Sequence, residues 1–244
     1  MGFEFKRFRI EDDKCGQKVC TDSILLGSWV DIKPGARVLD IGSGCGLLTI
    51  MLAQRCEGNI EAHGVELDKS AFEQSMDNAK SCPWTDAIEF HHVDINEFQY
   101  EKQSEKAFDL IISNPPYFNS SLKGPSDKRN QARHTDSLSF SQLLENVGRL
   151  LSKNGEFSVV LPTTGAKELE LLATNYDLHL VKQLRVCTIM GKPAKLQLMT
   201  FARKQKVESD EFSRVIDGQL IIHDGKGDYS SQFIALTRNF YLNR

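Results

Sequence analysis

No apolar run among the 244 residues approaches the roughly 20 needed to cross a bilayer as a helix. The opening stretch, Met1 to Ile10, alternates charged and aromatic residues and offers no apolar segment, so it does not read as a signal peptide. The six cysteines are scattered and unpatterned. Cys15, Cys20, Cys45, Cys56, Cys82 and Cys187 form no CxxC pair, and a domain of this size needs no disulfide framework, so reduced thiols are expected. No histidine lies near Cys15 and Cys20, and the neighbouring His91 and His92 would point to opposite faces of a strand, so no metal is expected. Repeats, low-complexity tracts and linkers are all missing. A soluble, cytoplasmic protein of one domain over 1–244 follows as the expectation, with an N-terminal segment at 1–34 and a C-terminal appendage from about Ser209.

Acidic residues are missing from one long stretch. The net charge is −3, yet Leu178 to Val207 carries Lys182, Arg185, Lys192, Lys195, Arg203, Lys204 and Lys206 with no Asp or Glu. A second basic run holds Lys123, Lys128, Arg129 and Arg133 against Asp127 alone. Such runs are commonly solvated faces, but two of them on an acidic protein also fit contacts to nucleic-acid phosphates.

Strands and helices alternate along the chain. Thr21 and Asp22 read as a cap for an apolar helix over Ile24 to Val30, and Pro34-Gly35 as a turn. Strands are expected at Arg37–Ile41, Ile60–Leu67, Ile88–Val93, Phe108–Ser113, Phe157–Leu161, Leu178–Val186 and Leu196–Phe201. Helices are expected at Leu47–Arg55, Lys69–Ser81, Ser139–Leu151 (stopped by Asn154-Gly155) and Gly165–Asn175. This alternation implies an α/β fold, a doubly wound and mostly parallel sheet of seven strands. The span from Pro115 to Leu138 is long for a loop in a compact domain, which commonly marks function.

Two strand ends carry chemistry. After the first strand comes Asp40-Ile41-Gly42-Ser43-Gly44-Cys45-Gly46, where glycines let the backbone approach a ligand and a helix N-terminus follows. A dinucleotide fingerprint would put its third glycine at Leu47, so that reading fails. Glu66, at the end of the second strand, stands where an acid commonly holds ribose hydroxyls, and Asp94 ends the third strand. After the fourth strand comes Asn114-Pro115-Pro116-Tyr117. An exocyclic amine conjugated with its ring is a poor nucleophile. The Asn114 side-chain carbonyl and the Pro115 main-chain carbonyl can accept its hydrogens and free the lone pair, while Tyr117 stacks on the base.

The glycine turn resembles the first motif of class I methyltransferases, and the NPPY string resembles that of enzymes methylating adenine, cytosine or glutamine amide nitrogens. The resemblance implies that S-adenosylmethionine is held by Asp40, Gly42, Ser43, Gly44, Gly46, Glu66, Leu67, Asp94, Ile95 and Asn114. In that family the acid before the turn orients the cofactor's ammonium, and the acid after the third strand accepts from its adenine amine. Nearly the whole chain is similar to the bacterial tRNA1(Val) adenine N6-methyltransferases, through Phe5 to Ile10, Lys18 to Trp29, Ala132-Arg133-His134 and the tail from Tyr229 to Leu242. That similarity implies a tRNA substrate, the adenine beside the anticodon, with Lys123, Lys128, Arg129, Arg133, Lys192 and Lys195 on its phosphates. It adds Lys18 and Thr21 as cofactor or base contacts. Cys20 stands where glycine is expected, and a need for positive φ there would strain it. Release-factor glutamine methyltransferases, ribosomal guanine methyltransferases and a non-catalytic RNA-binding scaffold are the rival readings.

Overall fold

The computed structural model describes residues 2–100, 108–116, 138–204 and 215–242. Ten strands and six α-helices occur among them. The strands are β1 (Gly2–Glu4), β2 (Arg9–Glu11), β3 (Arg37–Ile41), β4 (Glu61–Glu66), β5 (Ile88–His92), β6 (Phe108–Ser113), β7 (Leu151–Pro162), β8 (Leu178–Ile189), β9 (Leu196–Arg203) and β10 (Ile216–His223). The helices are α1 (Thr21–Trp29), α2 (Leu47–Arg55), α3 (Lys69–Lys80), α4 (Phe140–Leu150), α5 (Thr163–Ala173) and α6 (Ser231–Thr237).

Eight strands form one sheet in the order β10-β8-β9-β7-β6-β3-β4-β5, and β1 pairs with β2 as a separate hairpin. All neighbours are parallel except at β9, which runs against both β7 and β8. The sequence expectation of seven strands is corrected to eight. The extra strand, β10, comes from the segment expected as an appendage and pairs in parallel with β8.

Alternation along the strands sorts two cores. Val38, Leu110, Ile112, Val160 and Leu198 face one layer, with Ile24, Leu25 and Leu26 of α1 and all of the buried α2. Leu39, Ile41, Ile111, Phe157, Val159 and Phe201 face the other, against Leu143, Leu144 and Val147 of α4 and Leu169 of α5. One residue of register exchanges the faces, so a strand slip would place each side chain in the opposite core.

Two local expectations change. The helix expected over Ser139–Leu151 spans Phe140–Leu150, but Asn154-Gly155, read as its stop, lies within the next strand, which begins directly at Leu151 rather than at Phe157. Gly155 belongs inside that strand, beside a register shift against β6, where a Cβ would sit 2.7 Å from the Phe108 carbonyl oxygen. Helix α1 is capped by Cys20 rather than by Thr21 or Asp22. Cys20 has φ −134 and makes no side-chain cap bond, so it sits in ordinary extended space and is not strained.

The N- and C-terminal segments meet behind α1 and α2. The Lys6 amide donates to the Phe240 carbonyl at 2.8 Å, Gln54 Nε2 donates to the Asn239 carbonyl at 2.9 Å, and α6 packs against α1. Phe5, Phe233 and Phe240 are fully buried there.

Candidate functional site

The parallel strands end along one edge of the sheet, and a cavity of about 720 Å³ opens on it. This lies in the range of roughly 300–1,000 Å³ that small-molecule sites occupy. Its lining includes Gly42 and Gly44 after β3, Glu66 and Leu67 after β4, Asp94 and Ile95 after β5, and Asn114 and Pro116 after β6. Residues separated by over 70 positions therefore share one wall.

The turn after β3 is built on left-handed glycines: φ is +72 at Gly42, +55 at Gly44 and +83 at Gly46. The Gly42 and Ser43 amides donate to the Val65 carbonyl at 2.9 and 3.1 Å, tying the turn to β4. The Gly44 amide donates to Glu66 Oε2 at 2.8 Å, and the Asp68 amide to Oε1 at 2.9 Å. A Cβ placed on Gly42 or Gly44 meets nothing within 4 Å, whereas one on Gly46 would sit 2.6 Å from Phe90 Cζ. Two of the glycines thus face open space and the third faces the interior.

Asp40 lies behind this turn and does not line the cavity. It is wholly buried, and its Oδ2 accepts from Thr49 Oγ1 at 2.8 Å. Its Oδ1 and the Ser43 Oγ have no hydrogen-bond partner among the described residues. Burial pushes the Asp40 carboxyl up to about 7, against the opposing effect of the Thr49 bonds. Ser43, Gly46, Lys18, Thr21 and Pro115 are likewise outside the lining. Lys18 Nζ donates to the Asp12 carbonyl at 2.6 Å, and Thr21 opens α1.

Asn114 is 7% exposed and is fixed by its nitrogen: Nδ2 donates to Ser23 Oγ at 2.8 Å, with Cys20 Sγ at 3.7 Å. Holding the amide by Nδ2 turns Oδ1, the acceptor, to the other side. Ser113 Oγ donates to the Ile41 carbonyl at 2.8 Å and locks the end of β6 to β3. Asp94 Oδ1 accepts from both the amide and the side chain of Asn96, each at 2.8 Å. Asn96 in turn takes a bond from Asn146 of α4 at 2.8 Å.

A strap over the cavity, Lys14 to Gln17, has no counterpart in the expectations from sequence. It is held from α3. Gln74 accepts from the Lys14 amide at 3.0 Å and donates to Asp13 Oδ1 at 2.7 Å, and Asn78 bonds both backbone groups of Glu11 at 2.9 Å. The available signal was the i, i+4 pair of amides, Gln74 and Asn78, on the buried face of α3 with the small residues Ala71, Ser75 and Ala79. Gln142 and Leu138, at the start of α4, also line the cavity and were not foreseen.

Among the basic residues, Lys182 pairs with Asp31 at 2.7 Å and lies over the Trp29 ring. Arg185 pairs with Asp217, and Arg203 donates to the carbonyls of Gly148 and Leu151. Lys192 and Lys195 are exposed in the turn from β8 to β9. Because β8 runs with the parallel strands, this turn lies at the same sheet edge as the cavity. Tyr117, Lys123, Lys128, Arg129, Arg133 and Lys206 lie outside the described residues.

S-adenosylmethionine fits this cavity by its chemistry. Open glycine backbone, carboxylates at two strand ends and the apolar Leu67, Val93 and Ile95 match a ligand with an amino acid end, a ribose and a base.

Comparison with known proteins agrees with the geometry. A family described as a methyltransferase domain matches residues 32–217. A protein of Phocaeicola vulgatus called tRNA1(Val) (adenine(37)-N6)-methyltransferase is 44% identical over 99% of this chain and 97% of its own length. A protein of Haemophilus influenzae with the same name is 41% identical over 99% and 98%. The crystal structure of a predicted O-methyltransferase from Agrobacterium tumefaciens superposes with a TM-score of 0.66 at 19% identity, covering 90% of this chain and 96% of that one. At that identity the superposition speaks for the fold alone.

Proposed function

The chain belongs to the tRNA1(Val) (adenine(37)-N6)-methyltransferase family, and from that membership we propose that it methylates the exocyclic N6 of the adenine just 3′ of the anticodon in that tRNA, working in the cytoplasm as a single domain. The observation that carries the reading is the placement of Asn114. Its amide nitrogen is held by Ser23, and it lines the same cavity as Gly42, Gly44, Glu66 and Asp94.

S-adenosylmethionine, when bound, supplies an electrophilic methyl on a sulfonium. Gly42 and Gly44 offer backbone to its amino acid end, Glu66 to its ribose, and Asp94 with Leu67 and Ile95 to its base. Asp40 and Ser43 support the turn from behind. Asn114 Oδ1 and the Pro115 carbonyl accept the two amine hydrogens of the target adenine. This draws its nitrogen out of conjugation and directs the lone pair into the cavity. Preorganised acceptors of this kind act where charge develops and need no reorganisation during the reaction. The alkylated nitrogen is acidic and sheds its proton afterwards, so no strong general base is required. Tyr117 stacks on the base, which has to be unpaired or flipped out to enter. Lys192 and Lys195, at the same sheet edge as the cavity, with Lys123, Lys128, Arg129 and Arg133, take the tRNA phosphates.

The test is transfer of labelled methyl to total tRNA lacking this modification, digested and read as nucleosides. The expected product is N6-methyladenosine, absent with Asn114→Ala. Label in ribosomal RNA or in protein glutamine, with none in tRNA, would refute the tRNA assignment.

A further inference from the structure

Strands β4 and β5 carry a second cluster of chemistry away from the cavity. His63 and Glu89 are register partners across the parallel pair, and His91 lies two residues further along β5, so all three share one face. His63 Nδ1 lies 3.0 Å from His91 Nε2 and 3.8 Å from Glu89 Oε2, and His91 Nε2 lies 3.9 Å from Glu89 Oε1. We propose that His63, Glu89 and His91 form a three-ligand site for a divalent transition metal of the zinc class.

The spacing suits the ion. Tetrahedral zinc with ligands at about 2.0–2.1 Å places neighbouring donor atoms roughly 3.3 Å apart. The two histidine nitrogens, 3.0 Å apart, already stand near that distance, and one donor atom from each residue falls within 4.8 Å of the others. Closure falls mostly to Glu89, whose side chain is 67% exposed and adjustable. The surroundings orient the buried imidazole as a ligand. His63 Nε2 lies 3.2 Å from Glu61 Oε1, which also takes the Tyr100 hydroxyl at 2.5 Å. With Glu61 accepting Nε2–H, the lone pair of His63 stands on Nδ1 and points into the cluster. A carboxylate behind the histidine in this way fixes the tautomer and raises ligand basicity. The 3.0 Å contact is then a hydrogen bond from His91 Nε2–H to His63 Nδ1, and an ion entering between the rings takes that proton's place, with the His91 proton moving through solvent to Nδ1.

The site is reachable. His63 is nearly closed off at 6% side-chain exposure, but His91 at 24% and Glu89 open to solvent, leaving room for a water as fourth ligand. Two histidines and one carboxylate with an open position form a known set for zinc and other first-row divalent ions. A bound ion would staple β4 to the edge strand β5, whose ends carry Glu66 and Asp94. His92 takes no part: it lies on the other face, where it stacks on Phe72.

The experiment is titration of tag-free, full-length protein with zinc chloride against a chromogenic chelator, with thermal unfolding followed in parallel. One equivalent should bind and raise the Tm. His91→Ala should weaken binding at least tenfold and abolish the Tm rise, with circular dichroism and metal-free Tm near those of the parent. Glu89→Gln should weaken binding less, His92→Ala should leave it unchanged, and zinc X-ray absorption should show nitrogen and oxygen neighbours only. No binding, binding that survives His91→Ala, or sulfur in the coordination shell would each overturn the proposal.

Discussion

The ends of β3 and β6 sit side by side, locked together by the Ser113–Ile41 bond, yet they contribute in opposite ways. At β3 the chain presents backbone: three left-handed glycines, two of them facing open cavity. At β6 it presents a side chain, Asn114, between two elements that fix its direction, the Pro115 that follows it and Ser23 of α1. One end works by what it omits: a Cβ there strains the left-handed backbone and, at Gly46, meets Phe90. The other works by one functional group and can lose its chemistry without losing its shape. Affinity and turnover should therefore respond separately to changes at the two ends.

Asn114→Ala is the sharpest way to test that separation. It should lower kcat about 10²–10³-fold, the loss typical for one preorganised polar group at a reacting centre. The cofactor Kd from calorimetry should stay within a few-fold; a parallel rise in Kd would merge the two ends into one function. Gly46→Ala should break the β3 end from the inside. Its φ of +83 and the 2.6 Å approach to Phe90 add left-handed strain to overpacking, about 2–4 kcal/mol by urea unfolding. Gly42→Ala meets no atom within 4 Å, so only its left-handed strain at φ +72, about 1–2 kcal/mol, should appear in stability, and the larger effect should fall on cofactor affinity.

A smaller effect concerns Asp40. Its folded carboxyl titrates at about 7, above its ordinary value of 3.8, because burial penalises the charge. The folded state therefore holds a proton that the unfolded state releases. The stability from this group is complete below pH 3.8 and is lost as pH rises through about 7. Between pH 5 and 7 the loss should approach 2 kcal/mol, since each unit of difference is worth about 1.4 kcal/mol per pH unit. Asp40→Asn should flatten that part of the Tm against pH curve; an unchanged slope would place the titration elsewhere.

The strands that carry the site were legible in two ways: β3 and β6 are largely apolar runs closed by a glycine or an Asn-Pro, while β4 and β5 mix polar residues into short extended stretches that each lead to an acid. β10 was not: Ile216–His223 is an edge strand, mostly half-exposed, with Asp217-Gly218 resembling a turn. The hairpin β1–β2 was hidden by strands of three residues. The junction of α4 and β7 was misjudged because no loop separates them, so Asn154-Gly155 looked like a helix stop. In the site, residues with a reason local to the sequence, such as Gly42, Gly44, Glu66, Asp94 and Asn114, converge on the cavity. Ser23 and the Lys14–Gln17 strap escaped notice because their roles depend on partners 91 and about 60 residues away. His63 escaped for the same reason: its counterparts lie on another strand.

The clasp between the terminal segments joins Lys6 Nζ to the Arg238 carbonyl, 232 residues apart. Chain-closure entropy grows only logarithmically, so joining points that distant costs roughly 2 kcal/mol more than closing a 30-residue loop. A few buried rings, Phe5, Phe233 and Phe240, outweigh that difference. Helix α1, whose first turn carries the Ser23 that holds Asn114, thus leans on α6 from the far end of the chain. Distance along the sequence is a minor obstacle to such bracing. The area of apolar surface the two helices share decides whether it holds.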